Sequence, residues 1–166
     1  MTSGWQYFWP LFAAGLVIGV IAGLTGFRRI GRRRWRVLGF GIAAALASAM
    51  LWHWPLGGAG RFAAAVEQEA RAVLVDWEMG AVSARLQRGP LTRRLELAGP
   101  ADRFQRGELV RLMDLVPGVG GATWTKARAV PLFGEAAAIS LLAFLLGLLI
   151  AYVVELRRRH NAQWNW

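Results

Sequence analysis

A glycine-rich stretch, LVPGVGGATW at residues 115–124, has the composition of a phosphate-binding loop. Such a loop follows a strand, opens a helix and usually ends in Lys followed by Ser or Thr. This stretch instead follows an amphipathic helical pattern and contains no such Lys. We therefore interpret it as a helix end followed by a short strand, and we expect no nucleotide site.

Few other side chains could act as nucleophiles, bases or metal ligands. The chain has no cysteine, which excludes thiol chemistry and cysteine-based zinc sites, and it has two histidines. His160 lies among arginines, as solvated interfacial side chains do. His53 follows Ala49 by four residues and precedes Trp54, and this stretch resembles the bacteriochlorophyll-binding stretch of light-harvesting polypeptides. The resemblance implies a bacteriochlorophyll or heme ligand at His53; the alternative is a hydrated histidine at a membrane surface.

Catalytic carboxylate pairs are not evident in the sequence. Asp76 with Glu78, and Glu67 with Glu69, lie two residues apart in helical or helix-flanking segments, where side chains at that spacing do not face each other. We predict a protein that is not an enzyme, with no metal site and no cofactor unless His53 holds one.

Three long stretches with almost no charge predict helices that cross a membrane. They are residues 7–27, 37–55 and 135–155, each about the 20 residues that a ~30 Å hydrocarbon core requires. Charged residues make up 18% of the chain, below the ~25% typical of soluble domains, which also indicates a membrane protein. No positive charge precedes the first stretch, so we do not expect a cleaved signal peptide.

Arginines predict how these helices are oriented. The predicted loop 28–36 and the predicted tail 156–166 hold nine of the 19 arginines, and by the positive-inside rule both belong in the cytoplasm. The N-terminus is then periplasmic and the C-terminus cytoplasmic. Although the net charge is +10, arginines beside apolar helices fit anionic lipid headgroups better than nucleic acid. The residues are Arg28, Arg29, Arg32, Arg33, Arg34, Arg36, Arg157, Arg158 and Arg159.

Each predicted span also carries small residues at four-residue spacing, a ladder that lets a second helix backbone approach closely. The ladders pack the three helices against one another, or one of them docks a partner subunit or a second copy of the chain. Their members are Gly15, Gly19 and Gly23, then Gly41, Ala45 and Ala49, then Ala143, Gly147 and Ala151.

Between the second and third spans, residues 57–133 predict a small periplasmic α+β domain. Apolar periodicity predicts a helix with a buried face from Phe62 to Trp77, a strand at 82–87, and a second strand from Arg94 that ends at Gly99-Pro100. It also predicts a helix capped by Asp102 and a last strand at 119–124. The order is αββαβ. The fold class is therefore three transmembrane helices with a small extramembrane α+β domain.

The stretch VSARLQRGPLTRRLELAGPADRFQRGELVRLMDLVPGVGGATW resembles a BON domain over about residues 61–124. The matching positions are Leu97 and Gly99 at the end of the second strand, and Gly118 and Val119 before the last. The chain has one copy where many members have two, and Gly120 and Gly121 follow where a stronger strand former is expected. The resemblance implies a non-catalytic envelope module that binds phospholipid surfaces or proteins.

Together these patterns predict a multi-pass bacterial inner-membrane protein that is an accessory or scaffold subunit. Its periplasmic domain would bind lipid headgroups or a partner protein, and its small-residue helix faces would dock in the bilayer, with homo-oligomers possible. The alternative is an accessory subunit of a photosynthetic or respiratory complex that ligates a bacteriochlorophyll or heme through His53.

Overall fold

The computed structural model describes residues 3–126 and 128–163, so residues 164–166 of the predicted tail lie outside the described part. The fold is mostly helical with one small mixed sheet. The elements are α1 Ser3–Gly26, α2 Arg32–His53, α3 Gly58–Asp76, β1 Ser83–Leu86, β2 Arg94–Ala98, α4 Arg103–Asp114, β3 Gly121–Thr123 and α5 Leu132–Gln163.

The chain divides into two compact units. The mixed unit comprises Leu56–Glu135 and the chain up to Tyr7, and it contains the sheet. The helical unit comprises Phe8–Pro55 and the chain from Ala136 onward.

Three helices have the length and composition of membrane spans, as predicted. They are Trp5–Gly26, Arg32–His53 and Leu132–Ala162, with mean hydropathies of 2.0, 1.4 and 2.6. A helix of about 20 residues is long enough to cross a hydrocarbon core. The chain is therefore compatible with a membrane protein that has three spans.

The helices extend beyond the predicted apolar stretches. Helix α2 begins at Arg32, inside the predicted loop 28–36, and α5 continues to Gln163, through most of the predicted tail 156–166. Arginine is a good helix former, so a run of arginines does not end a helix. It makes that part of the helix prefer water or headgroups to the hydrocarbon core. Hydropathy located the apolar part of each helix but not its ends.

The helical unit has a small core of tightly packed residues. Ala22, Ala45 and Phe144 form a buried cluster, with Ile18 and Leu148 packed against it. Two of the three central residues are alanines, so the helix axes approach closely and one aromatic ring fills the remaining space.

In the mixed unit the three strands lie in the order β1-β2-β3. Strand β1 pairs antiparallel with β2, and β2 pairs parallel with β3. The predicted order αββαβ is the order of elements from α3 to β3. A parallel pair requires a crossover, which α4 provides.

Helix α4 begins where the sequence predicts. The Asp102 carboxylate accepts a hydrogen bond from the Gln105 backbone N–H at 2.7 Å, and the Gln105 side chain accepts one from the Asp102 N–H at 2.9 Å. This reciprocal capping box satisfies two N–H groups at the helix start. The structure confirms the predicted cap.

Two local predictions in this unit are wrong. The last strand begins at Gly121 and not at Val119, whose N–H donates to the Val116 carbonyl in a turn. Trp77 is not on the buried face of α3: it follows the last helical residue and is 60% exposed. Both errors have the same cause, because a periodic pattern continues in the sequence after the backbone has left the helix or before it has entered the strand.

Candidate functional site

The ladders of α1 and α5 lie against each other. A Cβ added at Gly19 would lie 2.9 Å from the carbonyl carbon of Phe144, and one at Gly147 would lie 2.7 Å from the backbone nitrogen of Val20. Gly15 is in similar contact with the Ser140 carbonyl oxygen. Real Cβ atoms do not approach so closely, so these contacts require glycine.

The ladder of α2 also points into the helical unit. A Cβ at Gly41 would lie 2.7 Å from the Ala22 Cβ. The Ser140 hydroxyl donates to the Ala45 carbonyl at 3.0 Å, which ties α5 to α2 by a buried hydrogen bond. The remaining members are also buried, and they are Gly23, Ala49, Ala143 and Ala151. The helices of this unit use all three ladders among themselves.

The arginines between α1 and α2, those at the start of α2 and those near the end of α5 lie at one end of the helical unit, which we call the arginine end. A few of these arginines are held by specific contacts. The Arg34 guanidinium lies 5.1 Å above the Phe27 ring, and the buried Glu155 carboxylate accepts hydrogen bonds from Arg158 and Arg159. The side chains of the other six have no ion-pair or hydrogen-bond partner within residues 3–126 and 128–163, and these residues are Arg28, Arg29, Arg32, Arg33, Arg36 and Arg157. Basic residues in excess of acidic ones leave this end strongly positive.

His53 is buried near the end of α2, with the Trp54 ring edge-on at 4.9 Å. The described residues contain no group of three His, Asp or Glu side chains that could hold a metal ion. A ligand role for His53 therefore stays a prediction that rests on the sequence.

The positions that carry the BON resemblance lie at strand ends and tight approaches. Leu97 is buried in β2, and Gly99 follows that strand. Gly118 has a φ of 98°, and a Cβ there would lie 2.8 Å from the Val66 side chain of α3. Val119 is buried beside it. These residues lie where the strands end and where the chain packs tightly against α3.

The sequence did not reveal an aromatic cleft on the mixed unit. Trp77 and Phe104 are 60% and 78% exposed, and they border a cleft of about 430 Å³ between the end of α3 and the start of α4. The cleft is lined by Trp77, Met79, Phe104, Gln105, Glu108, Leu109 and Leu112. The two aromatic residues are 27 positions apart, so only the fold brings them together.

A second cleft, the α3–β1 cleft, lies between α3 and the outer edge of β1 and has a volume of about 630 Å³. Glu67 of α3 closes one part of it, accepting from the Leu86 backbone N–H at 2.9 Å and from Arg88 at 3.0 Å. The cleft is lined by Ala64, Glu67, Gln68, Arg71, Ala84, Arg85, Leu86, Arg88 and Glu96. Sequence alone gave no indication of it, because Glu67 and Leu86 are distant in the chain.

The chain has no relative among the proteins compared with it. No protein-family model, no curated protein and no solved structure matches it. Its class is therefore defined by its own architecture: a chain with three candidate membrane-spanning helices and a small mixed α+β unit.

Proposed function

We propose that this chain is a non-enzymatic accessory or scaffold subunit of the bacterial inner membrane. Its three apolar helices lie in the bilayer, and its mixed unit lies on the periplasmic side as a BON-like module. There the mixed unit binds a partner protein, and its surface meets lipid headgroups. The N-terminus is periplasmic and the C-terminus cytoplasmic.

The aromatic cleft is the observation that carries this proposal. Burying one large aromatic side chain yields about 1.5–3 kcal/mol, and Trp77 and Phe104 leave most of that unrealised. Exposed aromatic residues around a concave apolar surface are typical of protein-binding sites, where tryptophan is enriched among the residues that dominate affinity. The cleft is therefore the best surface of the mixed unit for a partner.

The helical unit supports the same assignment by a different argument. Its small-residue ladders are filled by its own helices, so they leave no ladder residue for a partner helix. We therefore place the main partner contact on the mixed unit. The outward faces of the helices remain available for contacts in a homo-oligomer.

The arginine end supports the proposed orientation. Six arginines whose side chains have no partner among the described residues disfavour translocation of this end across the membrane and are attracted to the anionic cytoplasmic leaflet. Each basic residue near such a surface contributes about 1 kcal/mol of attraction. Headgroup contact on that side anchors the helices and fixes their direction.

Co-purification in mild detergent tests the proposal. We expect the tagged wild-type chain to purify with a defined envelope protein. The amount of that protein recovered with the Trp77→Ser and Phe104→Ser variants should be at least tenfold lower. Leu115→Ser is the matched control, because Leu115 is 80% exposed but does not line the aromatic cleft. A wild-type chain that purifies alone, and that also fails to float with phospholipid vesicles, would overturn the proposal.

A further inference from the structure

We propose that the open edge of β1 docks an extended, acidic segment of a partner protein as an added strand. The inference rests on the proposed function, since it assumes that the mixed unit binds a partner, and it deepens it by naming the form and charge of the segment. Strand addition to a sheet edge is an established mode of peptide recognition.

The hydrogen-bond pattern of β1 shows which backbone groups point outward. The Gln87 N–H donates to the Arg94 carbonyl at 2.9 Å, so Gln87 and Arg94 form a hydrogen-bonded pair. In an antiparallel ladder such pairs alternate with pairs whose N–H and C=O groups point away. By the register, Ala84 and Leu86 therefore direct their backbone groups away from β2, toward the outer edge.

The outward N–H groups of the sheet differ in how they are satisfied. The Leu86 N–H donates to Glu67 at 2.9 Å, and at the opposite edge the Ala122 N–H donates to Asp114 at 2.6 Å. No described side chain accepts a hydrogen bond from the Ala84 N–H. Carboxylates therefore block both edges except at Ala84, which leaves an opening one residue pair long.

The α3–β1 cleft provides room for a strand at that opening. Its volume is about 630 Å³, and Gln68 and Arg71 of α3 line it together with Ala84. A strand added to a sheet lies about 4.8 Å from its neighbour. We therefore expect the cleft to admit a short extended segment beside Ala84.

Charge selects an acidic segment and disfavours a second copy of β1. Arg88 is neutralised by its ion pair with Glu67 at 3.0 Å, whereas Arg71 and Arg85 have no partner within the described residues. Two copies of β1 side by side would bring Arg85 toward Arg85. The remaining lining carboxylate, Glu96, lies opposite Arg85 in the strand register and offsets part of its charge, so Arg71 supplies most of the attraction for an acidic segment.

A peptide fits this opening better than a phospholipid phosphate does. Ala84 offers both a donor and an acceptor, and a peptide residue supplies the complement of both. A phosphate group offers acceptors only, so it would leave the Ala84 carbonyl without a donor. The backbone groups favour a peptide, and the arginines favour its acidic side chains.

Fluorescence anisotropy tests the proposal with the full-length protein in mild detergent. The probe is an end-blocked eight-residue peptide of alternating valine and glutamate, labelled with a fluorophore. A second peptide has the same sequence with alternate backbone nitrogens methylated, and a third has lysine in place of glutamate. We expect the first peptide to bind at least tenfold more tightly than either of the others.

Variants locate the binding. Arg71→Gln with Arg85→Gln should weaken the probe at least tenfold, whereas Arg103→Gln with Arg128→Gln, the same charge change outside the cleft, should leave it within twofold. Ala84→Pro should also weaken it at least tenfold, because proline removes the outward N–H and none of the β1–β2 hydrogen bonds. If circular dichroism shows that Ala84→Pro does not fold, the arginine variants decide whether the probe binds in the α3–β1 cleft.

Three results would overturn the inference: equal binding of the methylated peptide, binding unchanged in the arginine variants, or displacement of the probe by phosphatidylglycerol vesicles through Arg71 and Arg85. The last outcome would make the cleft a headgroup site. Co-purification through the aromatic cleft is measured separately. If it persists while the probe fails to bind, the inference fails and the proposed function stands; if both fail, neither stands.

Discussion

The helical unit and the mixed unit are built by opposite packing strategies. In the helical unit glycines and alanines bring backbones together, as where Gly19 meets the Phe144 backbone. In the mixed unit large side chains such as Leu95 and Met113 fill a core, and carboxylates satisfy the strand edges. The first strategy fills the small-residue ladders, and the second leaves two clefts open. This difference is the reason why we propose the mixed unit as the site of recognition.

The largest effect is expected when a bulky residue is placed in a small-residue ladder. Gly19→Leu should prevent the close approach of α1 and α5, because its Cβ would meet the Phe144 backbone, and overpacking of this kind costs about 3 kcal/mol. The measurement is unfolding of the detergent-solubilised protein by SDS, followed by circular dichroism. Gly39→Leu is the control, since a Cβ at Gly39 has no atom within 4 Å. Equal stability of the two variants would contradict the claim that the ladder contacts hold the helical unit together.

The mixed unit should instead be sensitive to the loss of volume. Leu95→Ala removes a fully buried side chain at the centre of the sheet and should cost about 3 kcal/mol through lost burial and a cavity. Leu115→Ala, at an exposed position, should change stability by less than about 0.5 kcal/mol. Urea unfolding with hydrogen exchange at the strand amides measures both, and a Leu95→Ala variant as stable as its control would contradict the assigned core.

A smaller effect is expected at the start of α4. Asp102→Ala removes the capping box and should destabilise the mixed unit by about 1 kcal/mol. Asp76→Ala is the matched control, because Asp76 ends a helix and caps no N-terminus. The same urea titration applies. If the two aspartates give the same free energy of unfolding, the cap contributes nothing and the helix start is held by packing alone.

The smallest expected effect concerns His53. We expect gently purified protein to absorb only as its aromatic residues do, and His53→Ala to leave that spectrum unchanged. A visible absorption band that disappears in His53→Ala would revive the pigment-ligating alternative. It would also place a recognition site in the helical unit, against the comparison drawn above.

The sequence predicted the parts of the fold that depend on local patterns. Apolar length indicated three spans, four-residue spacing indicated the ladders, and Asp102 indicated the start of α4. These features lie within one element or one turn of the chain. The helix ends at Arg32 and Gln163 were not predicted. Hydropathy indicates whether a segment prefers lipid or water, and it does not indicate where the helical backbone begins or ends.

Neither cleft could be predicted, because each is made by residues from separate elements. Trp77 was assigned to a buried face by periodicity, and its exposure beside Phe104 depends on where α3 stops relative to α4. The opening at Ala84 depends on strand register and on the reach of Glu67. Register and side-chain reach are properties of the tertiary fold.

Cysteine accessibility tests the central claim, that the mixed unit lies outside the cytoplasm and the arginine end inside it. The chain has no cysteine, so Leu115→Cys and Ile30→Cys each introduce a single thiol, at positions 80% and 95% exposed. A membrane-impermeant maleimide is added to intact spheroplasts. We predict that Leu115→Cys is labelled at once and Ile30→Cys only after lysis. Labelling of Ile30→Cys before lysis, with Leu115→Cys protected, would contradict the account.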